Sequence, residues 1–168
     1  KLDEFDWVTL REMINQDALN SPNQRKLIES RLEPLDIADL VLKEEVMQRI
    51  PINPKFEFTL CSTRWDEEIE IKRMALVQSQ SLTGQALEQM VQDRYSLMSL
   101  AIHLYAINNT RLPSHRDADN KFDEKRLLEK LDKITRFPFH MLACVGTHVN
   151  WFAQRVRMLF TVDAVKNG

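Results

Sequence analysis

The chain has 168 residues, 43 % of them hydrophobic and 29 % charged, with a formal net charge of −2 at pH 7. That length is the usual size of one domain and supports a sizeable core without a covalent staple. The near-neutral balance excludes a grip on nucleic acid through bulk positive charge, though not through a local patch.

In chain order, Phe5, Trp7, Leu10 and Ile14 fall on one side of a helix expected over 3–16. Asn20, Ser21, Pro22 and Asn23 break it; Ser21 can cap the next helix and Pro22 suits its first turn. That helix is expected to run to about Leu32, where Glu33-Pro34 interrupts. Residues 35–46 predict a third short helix. The first two helices are short and well punctuated, so residues 1–34 are expected to form an arm on a helical core domain spanning 35–168. The chain opens on Lys1 rather than methionine, which fits either a processed or a trimmed chain.

The character changes after residue 46. Phe56, Phe58 and Leu60 alternate with Glu57, Thr59 and Cys61, a period of two that predicts a half-buried strand. Residues 48–52 are its expected partner across the Asn53-Pro54 turn. Thr63 with Asp66 has the form of a capping box. Asp66, Glu67, Glu68 and Glu70 then crowd the first turns of a helix, with Lys72 and Arg73 later, the order that suits the helix dipole. Thr83 can cap the longest helix, expected to run to about Ile107 with Leu87, Val91, Tyr95, Met98, Ile102 and Tyr105 on its buried stripe. Asn108-Asn109 is a turn signal, and a small hairpin is expected near 106–113. Residues 114–121 predict a mobile polar loop. Phe122, Asp123 and Leu127 have the spacing of a hydrophobic staple around an N-cap, opening a helix to about Arg136.

Phe137-Pro138 ends that helix and starts the last one. Leu142, Val145, Val149, Phe152, Val156 and Leu159 recur in steps of three and four, with Met141, Cys144, His148 and Trp151 beside them. This apolar arc is wider than a surface helix needs. Such a helix is central to its domain or touches a second protein. The expected fold class is therefore mainly α, a compact helical domain with one short β element at about 47–62 and the small hairpin.

Chemistry-bearing patterns are sparse. Three glycines in all, Gly84, Gly146 and Gly168, leave no room for a dinucleotide fingerprint, a P-loop or a nucleophile elbow. His140, Cys144 and His148 share one helix face. Eight residues of helical rise put the outer pair roughly 12 Å apart along the axis, too far for one ion. Carboxylates at a helix start need no catalytic explanation, and Ser114, His115, Asp117 and Asp119 are too close in sequence to form a hydrolytic triad. The charges on the 121–133 helix are mixed and read as a solvated face. Cys61 and Cys144 are too few for a disulfide framework and fit a reduced setting. No apolar run approaches the ~18 residues of a membrane span. No enzyme, cofactor or metal site is expected, and no membrane or nucleic-acid partner. The residues singled out are interface candidates: Trp7, Trp65 and Trp151, each either core or partner anchor, with Phe152 and Arg155 beside the last.

From residue 35 onward the order of elements resembles small structural and tail-assembly proteins of tailed bacteriophages, of the baseplate-hub or tail-assembly-chaperone type. The resembling pieces are LDIADLVL, RIPINPKFEFTLCST, RWDEEIEIKRM, RYSLMSLAIHLYAINNTRLPSH and WFAQRVRMLF. The resemblance implies a non-enzymatic structural or assembly subunit of the tail or baseplate region. It further implies other phage structural proteins as partners, multiple copies in a ring or tube, and residence in the virion after assembly in the host cytoplasm. The alternative is a cytosolic helical adaptor or regulatory protein.

Overall fold

The structure, a computed structural model, describes residues 45–166 together with the single positions 26, 30, 32, 35 and 38. The arm expected over 1–34, with Trp7, and the helices expected at 3–16, 21–32 and 35–46 lie outside the described residues apart from those positions and residues 45–46, which are not helical. The described elements run β1 (Met47–Asn53), β2 (Phe56–Cys61), α1 (Trp65–Val77), α2 (Gly84–His103), β3 (Leu104–Ile107), β4 (Thr110–Arg111), α3 (Glu124–Ile134) and α4 (Phe139–Lys166).

The mainly α expectation is overturned. The four strands form one antiparallel sheet in the order β1-β2-β3-β4, accompanied by four helices, so the architecture is α+β. The expected hairpin at 106–113 exists, but as the outer half of the sheet that begins at residue 47. The long helix stops at His103 instead of Ile107, because Leu104, Ala106 and Ile107 pair with Leu60, Thr59 and Phe58. Hydrogen bonds offered by an existing strand edge outweigh a helical pattern at the end of a helix.

The described chain forms two compact units. The first comprises 45–62, 104–112 and 137–166; the second comprises 63–103 and 113–136.

In the first unit, β1 and β2 pair with Ile50 opposite Phe58 and Gln48 opposite Leu60. Alternation then puts Gln48, Ile50, Ile52, Phe56, Phe58 and Leu60 in the interior. On the other face of β1, Met47 and Arg49 are exposed, and Arg49 reaches Glu57 across the strands at 2.5 Å. The start of β1 and the end of β2 are clamped, since Ser62 N–H donates to the Val46 carbonyl at 2.8 Å and Val46 N–H donates to Ser62 Oγ at 2.9 Å. Helix α4 covers the buried face, its Met141, Cys144, Val145, His148, Val149 and Phe152 all interior. The His148 ring meets Phe58 edge-on, with centroids 5.4 Å apart.

The β3–β4 turn is built by Asn108 and Asn109, both with positive φ, 45° and 64°. Two consecutive left-handed residues make the hairpin turn whose twist matches the strands, and asparagine tolerates that conformation best after glycine. Asn108 also stitches the turn to β2. Its Oδ1 accepts from Glu57 N–H at 2.9 Å and its Nδ2 donates to the Lys55 carbonyl at 3.0 Å. Asn108→Ala removes both bonds and strains the turn, and is expected to cost about 2 kcal/mol in equilibrium urea unfolding. A loss below about 0.5 kcal/mol there would show that the turn is held by its backbone alone.

In the second unit, α1 packs on α2 and α2 on α3. Its apolar interior is Ile71, Met74 and Ala75 from α1, Met98, Leu100, Ala101 and Ile102 from α2, and Leu127, Leu131 and Ile134 from α3. Asp123 caps α3 as its sequence spacing predicts, accepting from Arg126 N–H at 3.1 Å.

Candidate interaction surface

Helix α1 carries apolar side chains on two sides. Its start lies one residue later than the Thr63–Asp66 spacing implied. Arg64 is the N-cap residue, and its N–H donates to Glu67 Oε2 at 2.9 Å, while Thr63 Oγ1 donates to Glu68 Oε1 at 3.0 Å. With the acids in the first turn the dipole is satisfied. The inward stripe is Glu67, Ile71, Met74 and Ala75. At 3.6 residues per turn, the opposite side is formed by Trp65, Ile69, Lys72 and Leu76. Trp65 is 77 % exposed, Ile69 47 % and Leu76 52 %. The helix is thus apolar on both sides, and its core needs only one. Polar residues are the norm on the outward side of a helix, so an apolar stripe there is informative where scattered exposed residues are not.

The inward side holds a buried charge cluster. Glu67 is fully buried, and Arg116 donates to it from Nε at 2.5 Å and from Nη2 at 3.0 Å. His115 donates from Nε2 at 3.1 Å. Burial alone would raise the Glu67 carboxyl; the hydrogen bonds from His115, Arg116 and the Arg64 amide outweigh it and hold the group far below the usual carboxylate range. Burial, with the positive charges of Lys130 and Arg116, pushes His115 below its ordinary value against the pull of Glu67. Burial lowers His103 as well, although its Nδ1 donates to the Ser99 carbonyl at 2.7 Å and Glu68 and Glu67 oppose the shift. The four oxygen and amide contacts of Glu67 are all internal, and the arrangement orders a loop. The segment 114–121, expected to be mobile, is fastened by His115 and Arg116, both buried, and by Asp117 Oδ1, which accepts from the amides of Asp119 and Lys121 at 2.9 Å each.

This cluster sets a pH dependence. The fold accepts neutral His115 and His103, so the unfolded chain takes up protons first as the pH falls below about 6.5, and stability declines. Below about 4.5 the unfolded chain also protonates the Glu67 position while the folded carboxylate resists, and the decline steepens. Both effects vanish at pH values well above 6.5. Thermal melts between pH 8 and pH 4 are expected to show a plateau followed by a falling Tm; a flat profile down to pH 4 would contradict the assignment.

The residues singled out from sequence fall in three environments. Trp65 stands on the outward stripe of α1. Phe152 is interior to the first unit, and Trp151 is half-buried beside it. Arg155 lies 4.8 Å over the Trp151 ring and donates from Nη1 to Gln48 Oε1 at 2.6 Å, which ties α4 to β1. The structure therefore brings Trp151, Phe152 and Arg155 together as part of the first unit, while Trp7 lies outside the described residues. Ile69, Lys72 and Leu76 were missed, although their steps of four, three and four with Trp65 are visible in the sequence; the density of acids around them masks the pattern.

His140 is exposed, and His148 Nδ1 donates to the Cys144 carbonyl at 2.8 Å, the ordinary bond of a buried helical histidine. Among the described residues no group of three or more His, Cys, Asp or Glu side chains could hold a metal ion. Both cysteines are buried thiols outside any disulfide, and burial pushes the Cys144 thiol up to about 12, so it has no thiolate character near neutrality. Among the described residues no helix is long and apolar enough to cross a membrane.

Comparison with known protein families, with curated proteins and with solved structures found no match.

Proposed function

We propose that the chain is a non-enzymatic structural or assembly subunit of a tailed-phage particle, from the tail or baseplate region, working through protein–protein interfaces. The observation that carries the interface reading is the outward Trp65–Ile69–Leu76 stripe on a helix whose other side already serves the core. A rigid helix presenting a tryptophan and two aliphatic residues in register is a recurrent way of docking into another protein. The phage context rests on the resemblance of residues 35 onward described above, which implies other phage structural proteins as partners, in multiple copies, within the virion.

The genes flanking the coding sequence and the composition of purified particles test this reading. The chain is expected among tail genes, and either in the particle or in tail-assembly intermediates isolated from the host cytoplasm. Flanking genes of cellular metabolism, with the chain absent from any particle, would favour a cytosolic helical adaptor instead. Co-expression with each flanking tail protein is expected to recover a stoichiometric complex that is lost in Trp65→Ala.

A further inference from the structure

The exposed positions on α1 do more than mark a sticky face; their order specifies an occupant. Trp65, Ile69, Lys72 and Leu76 recur in steps of four, three and four, the spacing of a coiled-coil seam. The exposed flanking charges on one side of that seam are Asp66 near the start and Arg73 seven residues later, with side chains 64 % and 51 % exposed. We infer that this face pairs with the same face of a second copy of the chain, the two α1 helices running antiparallel about a two-fold axis between residues 69 and 72.

An antiparallel pair places Trp65 against Leu76 of the second copy and Ile69 against the alkyl stem of its Lys72. On the flank it places Asp66 beside Arg73 of the second copy, and symmetry makes that charge pair twice. A parallel pair would turn this flank toward the opposite flank of the second helix, so that Asp66 and Arg73 would not meet, and would leave each bulky Trp65 facing its counterpart. The Asp66–Arg73 flank is thus self-complementary in the antiparallel sense, as an isologous dimer of that kind requires. Arg73 already contacts Glu70 at 2.8 Å and Glu124 at 3.1 Å on its own surface. Those exposed contacts leave its guanidinium held at the edge of the seam and able to take a further carboxylate.

The inference rests on the reading of the chain as an interaction subunit and names one of its partners. Light scattering on size-exclusion chromatography, with sedimentation over a range of concentrations, tests it on the full chain. A reversible dimer is expected for the wild type. Ile69→Asp is expected to abolish it, with the far-UV circular dichroism unchanged because the site is on the surface. Asp66→Arg and Arg73→Asp are each expected to weaken it by about tenfold, by turning two attractions into two repulsions. The double variant Asp66→Arg/Arg73→Asp is expected to recover dimerisation, an outcome that general damage to the helix would not produce. A wild type monomeric at every concentration overturns the inference, as does a dimer indifferent to Ile69→Asp or one that the double variant fails to restore. A monomer that binds a flanking tail protein through Trp65 removes the self-pairing and leaves the proposed function standing. A monomer that binds none removes both.

Discussion

Replacing Glu67 by glutamine is expected to cost the fold about 3–5 kcal/mol, the penalty for breaking a buried ion pair from one side. Glutamine keeps the shape, so the loss isolates the charge. The variant leaves Arg116 and His115 buried beside a neutral amide, which can accept from only one oxygen where the carboxylate accepted three side-chain bonds and one from the Arg64 backbone. Lys130, buried in the same unit and acting on His115, adds its positive charge to the same surroundings. Against a total stability of about 5–15 kcal/mol this is a large share. Urea unfolding with an unchanged m-value and a strongly lowered midpoint is the expected result. The pH profile should change too, since the steep decline below about 4.5 belongs to Glu67 and disappears with it. A loss under about 1 kcal/mol would mean that the cluster is solvated in solution.

Phe152→Ala is expected to cost a similar amount, about 3–5 kcal/mol, from lost transfer energy and the cavity left behind. Phe152 is fully buried in the first unit. Trp65→Ala removes a larger ring and is expected to change stability by no more than about 0.5 kcal/mol, because that ring is already in water. The pair separates two meanings of a large aromatic residue. One holds the protein together; the other is available to hold something else. Equal losses for the two variants would remove Trp65 from the docking surface and place it in the core.

How much of this was legible depended on the range of the interaction that decides each element. The alternation at Phe56, Phe58 and Leu60 is local and was readable, as were Asn108-Asn109 and the Asp123 cap. The end of α2 was not. Met98, Ile102 and Tyr105 keep helical spacing straight through the helix–strand boundary, and only pairing with Thr59 and Phe58, more than forty positions earlier, turns residues 104–107 into a strand. The candidate surface shows the same division. Asp66, Glu67, Glu68 and Glu70 look alike in sequence; Glu67 alone is fully buried, and its partners His115 and Arg116 come from a loop that composition presents as polar and loose. The outward stripe of α1 was readable by its spacing, yet a helix with two apolar sides gives no local sign of which side the core will take. That choice belongs to α2.

The interleaving of the two units constrains how the molecule can be made. A ribosome releases β1 and β2 first, yet their inner face is covered by α4, which emerges about eighty residues later. In the interval the nascent chain carries Ile50, Phe56, Phe58 and Leu60 on an uncovered sheet, beside two strands that are themselves not yet joined. Translation slowed after residue 112, or a cellular folding factor withdrawn, should therefore send the product toward aggregation rather than toward a trimmed but working fragment.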